Sequence, residues 1–259
     1  MGAESTVRLP TRPRNDTLQY VDLRDEWWKP RGAFAMLHWI AAARAKHVPV
    51  ATHPRSVLVD IGCGAGVLAP HVSALGHRHI GIDVVEASLV QARERGVAPV
   101  AGDATRLPLR SESADVVVAG EVLEHVTDPE ALVAEVLRVL KPGGTLVMDT
   151  IADTWWGRLT AITVGERIPA GPPPRLHDGA LFIDRDALVR SCERGGVTLT
   201  LAGLKPAALD YVMWLMRRRD DVRMVRSRTT AGLFQAYGRK ASGRILDPRT
   251  TTDDREGAR

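Results

Sequence analysis

Val57-Leu58-Val59-Asp60-Ile61-Gly62-Cys63-Gly64-Ala65-Gly66-Val67 runs from an apolar segment through one acid into three glycines at alternate positions. Apolar residues around one acid suit a strand covered on both faces, and glycines at alternate positions suit a tight turn that admits a ligand against the backbone. A helix is expected to open at Gly66, with its first N–H groups facing that ligand. The spacing is Gly-x-Gly-x-Gly followed by Val67, so it misses the third glycine of the dinucleotide fingerprint. A nucleoside without a pyrophosphate fits it better.

Working outward, His79-Ile80-Gly81-Ile82-Asp83 is a second short apolar run ending in an acid. Asp83 falls 21 residues after Gly62, where such folds place the carboxylate that accepts ribose hydroxyls. From Val57 the chain alternates strands and helices over short connections, the pattern of a parallel sheet with right-handed crossovers. Strands are expected near 57–61, 79–83, 97–101, 114–119, 144–150, 197–202 and 231–239, with helices over 66–75, 86–95, 128–140 and 184–194. Asp128 as cap, Pro129 at the first helical position and Lys141-Pro142-Gly143-Gly144 as the stop punctuate the third of these helices. Ligands of open α/β sheets lie beyond the carboxyl ends of the strands, so Gly62, Asp83, Asp103 and Gly120 are expected to converge on one site. Asp103 is placed to accept from an exocyclic amine such as that of adenine.

The chain of 259 residues, 44% hydrophobic and 25% charged, can bury a full core. No run approaches the length of a membrane span and Met1–Arg14 is polar, so a cytoplasmic protein is expected. Cys63 and Cys192 lack the spacing of a metal pair or a disulfide framework. The net charge is +4, with Arg217, Arg218, Arg219, Arg223, Arg226 and Arg228 crowded against Asp220 and Asp221. No aromatic residues interleave with them, which favours a solvated connection over a nucleic-acid platform. Residues 1–26 read as a disordered or extended tail, 27–240 as one domain and 241–259 as a second tail. Within the domain, 27–53 reads as a helical flank and 151–183, the longest interruption of the alternation, as a lid.

These motifs together carry a resemblance. Asp60-Ile-Gly-Cys-Gly-Ala-Gly66, Gly81-Ile-Asp83, Gly102-Asp103-Ala104 and Val139-Leu-Lys-Pro-Gly-Gly144 look like the successive motifs of class I S-adenosylmethionine-dependent methyltransferases. Trp27-Trp28 with Leu37-His38 and Arg44, then Glu121-Val-Leu-Glu124-His125-Val126-Thr-Asp-Pro129, then His177-Asp178 with Phe182-Ile183, resemble the polyprenyl-hydroxyphenol and demethylubiquinol O-methyltransferases of ubiquinone synthesis. The likeness runs from about Trp27 to Gly203. It implies a Rossmann-like α/β fold, a seven-stranded mostly parallel sheet with helices on both faces. S-adenosylmethionine is the implied methyl donor, with Arg44, Asp60, Gly62, Gly64, Asp83, Asp103, Ala104 and Gly120 in its site. Glu121, Glu124 and His125 form the cluster that the family associates with magnesium. Read from the residues alone, two carboxylates and an imidazole on one helical face can hold a divalent ion or share a proton.

The expected reaction is displacement at a sulfonium methyl by a phenol or quinol oxygen, with His125 as base, or with an ion on Glu121 and Glu124 lowering the phenol's pKa. The lid, with Trp155 and Trp156, is implied to cover the acceptor and to touch lipid, giving peripheral contact at the inner face of the membrane. This chain has Trp39-Ile40-Ala41-Ala42 where the family carries Arg-Ile-Asn-Pro, and Ala152-Asp153 where it carries Asn-Arg. Another small-molecule hydroxyl is therefore the alternative acceptor, and an RNA or protein methyltransferase and a donor-binding module without activity stand behind it. No nucleic-acid partner is expected.

Overall fold

A computed structural model describes residues 11–242. The strands are β1 (Val57–Ile61), β2 (Arg78–Asp83), β3 (Ala98–Ala101), β4 (Ala114–Gly120), β5 (Leu140–Ile151), β6 (Val197–Pro206), β7 (Met224–Ser227) and β8 (Leu233–Lys240). They form one sheet in the order β3-β2-β1-β4-β5-β8-β6-β7. β3 through β5 pair in parallel, while β8 runs antiparallel to both β5 and β6. The chain steps outward from β1 in one direction to β3 and then in the other from β4, so the switch point lies between β1 and β4.

Alternation along the central strands explains the two layers. Leu58, Val116, Val118 and Val147 pack on one face against Trp27, Phe34, α2 (Ala35–Arg44) and α3 (Ala69–Val72). Val59, Ile61, Val117 and Met148 pack on the other against α5 (Pro129–Val139) and α7 (Arg185–Arg194). Asp128 caps α5, its Oδ1 accepting from the Ala131 N–H at 2.9 Å. α4 (Glu86–Glu94) lies beside β2 and β3. Cys63 and Cys192 are buried free thiols, both pushed up by burial.

Three expectations need correction. The helix after the glycine turn opens at Ala69 rather than Gly66, because the chain spends Gly64–Leu68 in tight turns, and 3-10 geometry finishes it over Ser73–Leu75. The sheet has eight strands: β7 lies inside the arginine-rich segment that reads as a solvated connection. Val222 and Met224 alternate inward there, while Arg223 and Arg219 bind the buried Asp210 of α8 (Ala208–Leu215). Finally, the tail expected over 1–26 is folded where it is described. It contains α1 (Leu18–Asp22), buries Gln19, and stacks Tyr20 on Trp27 and Phe34 at centroid distances of 5.7 and 5.9 Å. Residues 1–10 of that tail, and 243–259 of the expected second tail, lie outside the described residues. No helix among the described residues is long and apolar enough to cross a membrane.

Two changes in α5 separate capping from packing. Asp128→Ala is expected to lower unfolding free energy by about 1 kcal/mol and Leu132→Ala, at a fully buried position, by about 3 kcal/mol, both read by urea denaturation.

Candidate functional site

The carboxyl ends of β1 through β4 open onto one cavity of about 540 Å³. The residues expected at a donor site, Arg44, Asp60, Gly62, Gly64, Asp83, Asp103, Ala104 and Gly120, all line it, as do Glu121 and His125. Gly62 and Gly64 hold φ of 68° and 50°, and a Cβ at either would sit 2.7 Å from Val122 or Trp27 respectively. Asp83 secures the turn: Oδ2 accepts from the Gly64 N–H and Oδ1 from the Val85 N–H, each at 2.8 Å. Burial raises the Asp83 carboxyl against those bonds. Asp103 Oδ1 accepts from the Thr105 N–H and hydroxyl at 2.8 Å, which lowers its pKa. Its Oδ2 has no hydrogen bond among the described residues.

Arg44 lines the cavity and also makes a buried ion pair. Its Nε and Nη2 donate to the two oxygens of Asp149 at 2.6 and 2.7 Å, both residues being buried. Burial works against the guanidinium charge, and Asp149 more than reverses that and raises the pKa. The pair passes under Gly120, where a Cβ would overlap the guanidinium. Only glycine fits there.

Beyond Gly120 the chain turns sharply, with Glu121 at a φ of 52° that non-glycine residues seldom adopt. Glu121 and Glu124 are both pushed up: burial is the largest cause for each, and for Glu121 the neighbouring Glu124 and Asp149 come next. Glu124 is fully buried, with Oε2 accepting from the Thr150 hydroxyl at 2.7 Å and Oε1 unpaired. His125 is lowered to about 3 by burial and then by His177, whose ring stacks at 5.1 Å; His177 itself is lowered to about 4 by burial and then by Arg14. Both rings are neutral at pH 7.

The expected metal set does not form as written. Glu124 and His125 are joined by His177, ligand atoms within 4.8 Å of one another, and Glu121 stands outside this group. Two imidazole nitrogens to one carboxylate are a poor match for magnesium, which demands oxygen ligands; imidazole suits first-row transition ions. The unpaired Glu124 Oε1 and His177 Nδ1 leave donors for such an ion, but the set does not fit magnesium.

Asn15, Tyr20, Asp149 and His177 belong to the site and carry no role in the sequence reading. Asp149, the acid directly after the apolar run 146–148, was a readable signal; nothing local marks Asn15. The lid arrives from 151–183: α6 (Trp155–Arg158) continues as a π-helical turn over Leu159–Val164, and Trp156, Val164, Ile168 and Leu176 face the cavity. The N-terminal segment fastens it, with Arg14 Nη1 donating to Glu166 at 2.7 Å and to the His177 carbonyl at 2.8 Å, and Gln19 Nε2 to the Arg175 carbonyl at 2.9 Å.

Residues 59–148 match the family described as a methyltransferase domain. A ubiquinone biosynthesis O-methyltransferase of Burkholderia pseudomallei is 32% identical over 191 residues, covering 70% of this chain and 82% of that protein. One from Hahella chejuensis is 32% identical over 200 residues, covering 71% and 84%. Among solved structures, an S-adenosylmethionine-dependent methyltransferase of Thermotoga maritima, titled a possible histamine N-methyltransferase, aligns with a TM-score of 0.58 over 86% of this chain and 97% of its own, at 21% identity. That likeness speaks for the fold alone.

The upward push on the buried Glu121 carboxyl has a measurable consequence. Its folded pKa lies above the unfolded value, so the unfolded chain sheds the proton first as pH rises, and stability contributed at acid pH is lost from the unfolded pKa upward to the folded one. Glu121→Gln removes that dependence. The thermal midpoint of the variant relative to the parent is expected to rise between pH 5 and pH 8, and a constant difference would contradict a neutral Glu121.

Proposed function

Because the chain belongs to the family of the ubiquinone biosynthesis O-methyltransferases and is an S-adenosylmethionine-dependent methyltransferase, we propose that its acceptor is the hydroxyl of a phenol or quinol carrying an apolar polyprenyl tail. One observation carries this reading. The cavity that gathers the strand ends runs on beneath an apolar lid and has the neutral imidazole of His125 in its wall. Another small hydroxyl acceptor remains the alternative outcome of the assay below.

In this reading Gly62, Gly64 and Gly120 let the donor lie against the backbone, Asp83 and Asp103 offer acceptors to ribose and adenine, and Asp60 and Ala104 complete the wall. Arg44 acts through Asp149, holding the floor under Gly120. S-adenosylmethionine, when bound, supplies an electrophilic methyl on a sulfonium centre. His125 Nε2 takes the proton of the acceptor hydroxyl as the oxygen lone pair forms the new O–C bond, while the C–S pair stays on sulfur. The positive charge that His125 gains replaces the one lost at sulfur, so the buried cavity keeps its net charge. No step is assigned to a metal.

Peripheral membrane contact is the second part of the proposal. Trp155 is 71% exposed on the lid. On α8 the outward stripe is apolar, Leu209 at 73% exposed with Val212, Leu215 and Met216, and Arg217 and Arg218 follow it. Aromatic and apolar side chains rimmed by arginine suit the interface of an anionic bilayer. Arg219 and Arg223 are engaged by Asp210, which takes them from any nucleic-acid platform.

With radiolabelled donor and a panel of phenols and quinols with and without prenyl tails, tailed acceptors are expected to turn over fastest, and His125→Ala to lose about 10²-fold to 10⁴-fold at pH 7. Undiminished turnover in that variant removes His125 as base. Co-sedimentation with vesicles containing anionic lipid is expected to fall at least about fivefold for Trp155→Ser with Leu209→Ser. Equal binding by parent and variant overturns the membrane reading.

A further inference from the structure

The N-terminal segment reaches His125 through Asn15 and Tyr20, and the two side-chain bonds of Asn15 determine where the ring hydrogen sits. Nδ2 donates to the backbone carbonyl of His125 at 2.9 Å, and Oδ1 lies 2.6 Å from His125 Nδ1. A carbonyl only accepts, so the amide nitrogen must face it, and the amide oxygen is left facing the ring. That oxygen also only accepts. Nδ1 therefore carries the hydrogen, and in a neutral imidazole the lone pair is on Nε2. The reversed amide would set two oxygens against each other at the His125 carbonyl, whichever ring nitrogen carried the hydrogen.

Tyr20 fits the same tautomer: its hydroxyl lies 3.3 Å from His125 Nε2 and, able to donate or accept, donates to the lone pair that Asn15 leaves there. Tyr20 also lines the cavity, so a phenol of the chain itself stands at the nitrogen that an acceptor phenol would have to reach. Asn15 holds a φ of 57°, a left-handed conformation that asparagine tolerates better than most residues, and its N–H donates to the Arg175 carbonyl of the lid at 3.1 Å. The lid and the tautomer are thus fastened by one residue.

We propose that Asn15 is a positioning residue for methyl transfer: it fixes His125 as the Nδ1–H tautomer, so that the Nε2 lone pair faces the acceptor hydroxyl, with Tyr20 keeping that place until an acceptor arrives. This rests on the reading of His125 as base. Asn15 itself touches neither donor nor acceptor, and its effect passes through the ring.

The test uses the full chain labelled with ¹⁵N-histidine. Two-bond ¹H–¹⁵N spectra are expected to show His125 as Nδ1–H in the parent and as a mixture or Nε2–H in Asn15→Ala. Turnover at saturating acceptor is expected to fall about 10-fold to 100-fold in that variant, with donor affinity by calorimetry unchanged within about twofold. Asn15→Asp loses the donor to the His125 carbonyl but keeps an acceptor for the Nδ1 hydrogen, so it is expected to keep the parent's tautomer and a kcat above that of Asn15→Ala, which separates positioning from a loss of fold. An unchanged tautomer in Asn15→Ala, or a kcat within about twofold of the parent, overturns the proposal. If the tautomer switches as expected while His125→Ala turns over at the parental rate, the base reading falls and the tautomer assignment stands without a catalytic role.

Discussion

The bidentate pair between Arg44 on α2 and Asp149 on β5 is the contact on which the rest of the site depends. It is the only buried arginine–carboxylate pair among the described residues in which both side chains are almost wholly screened from solvent. Removing one partner of such a pair costs about 3–5 kcal/mol, because the other is left charged and unpaired in a medium that cannot solvate it. Its position matters as much as its strength. The guanidinium occupies the space beside Gly120 that any Cβ would fill, so the end of β4 can approach α2 closely, and the helical flank becomes a wall of the cavity instead of a cover.

From that floor the chemistry of the neighbouring groups follows. Glu121, Glu124, His125 and His177 crowd a water-poor space, and four buried charges there would each incur a desolvation cost that the available hydrogen bonds do not offset. The two carboxyls are pushed up and the two imidazoles down, each mainly by burial, so the group moves toward neutrality from both sides. Arg44 and Asp149 supply the exception, a charge pair that satisfies itself. A cavity lined this way favours an apolar acceptor and a neutral proton acceptor, and offers little to an all-oxygen ion.

What could be read in the sequence was what is encoded locally. The glycine turn, Asp83, Asp103 and Gly120 each lie at or just past the end of a strand, so finding the strands places them at one edge, and the cap and stop of α5 are adjacent to the helix they bound. β7 was hidden because its inward residue Met224, and Val222 just before it, alternate with arginines whose charge suggested solvent. The partner that neutralises two of them, Asp210, lies on α8. The N-terminal segment was hidden for a related reason: Arg14, Asn15 and Gln19 look like a polar tail until residues 125, 166, 175 and 177 are beside them. Residues bonded across more than a hundred positions leave no periodic trace.

The division of labour between near and distant residues bears on how one sheet comes to serve different acceptors. The donor side is built from strand ends, and its geometry is inherited with the sheet. The other wall comes from the lid and from the N-terminal segment fastened to it by Arg14, Asn15 and Gln19, and both reach the Glu121–His125 turn. Neither adds a strand to the sheet among residues 11–26 and 152–183, so both can change without altering the strand order that sets the glycine turn. They are not free to change separately, because the bonds that close the lid also fix His125.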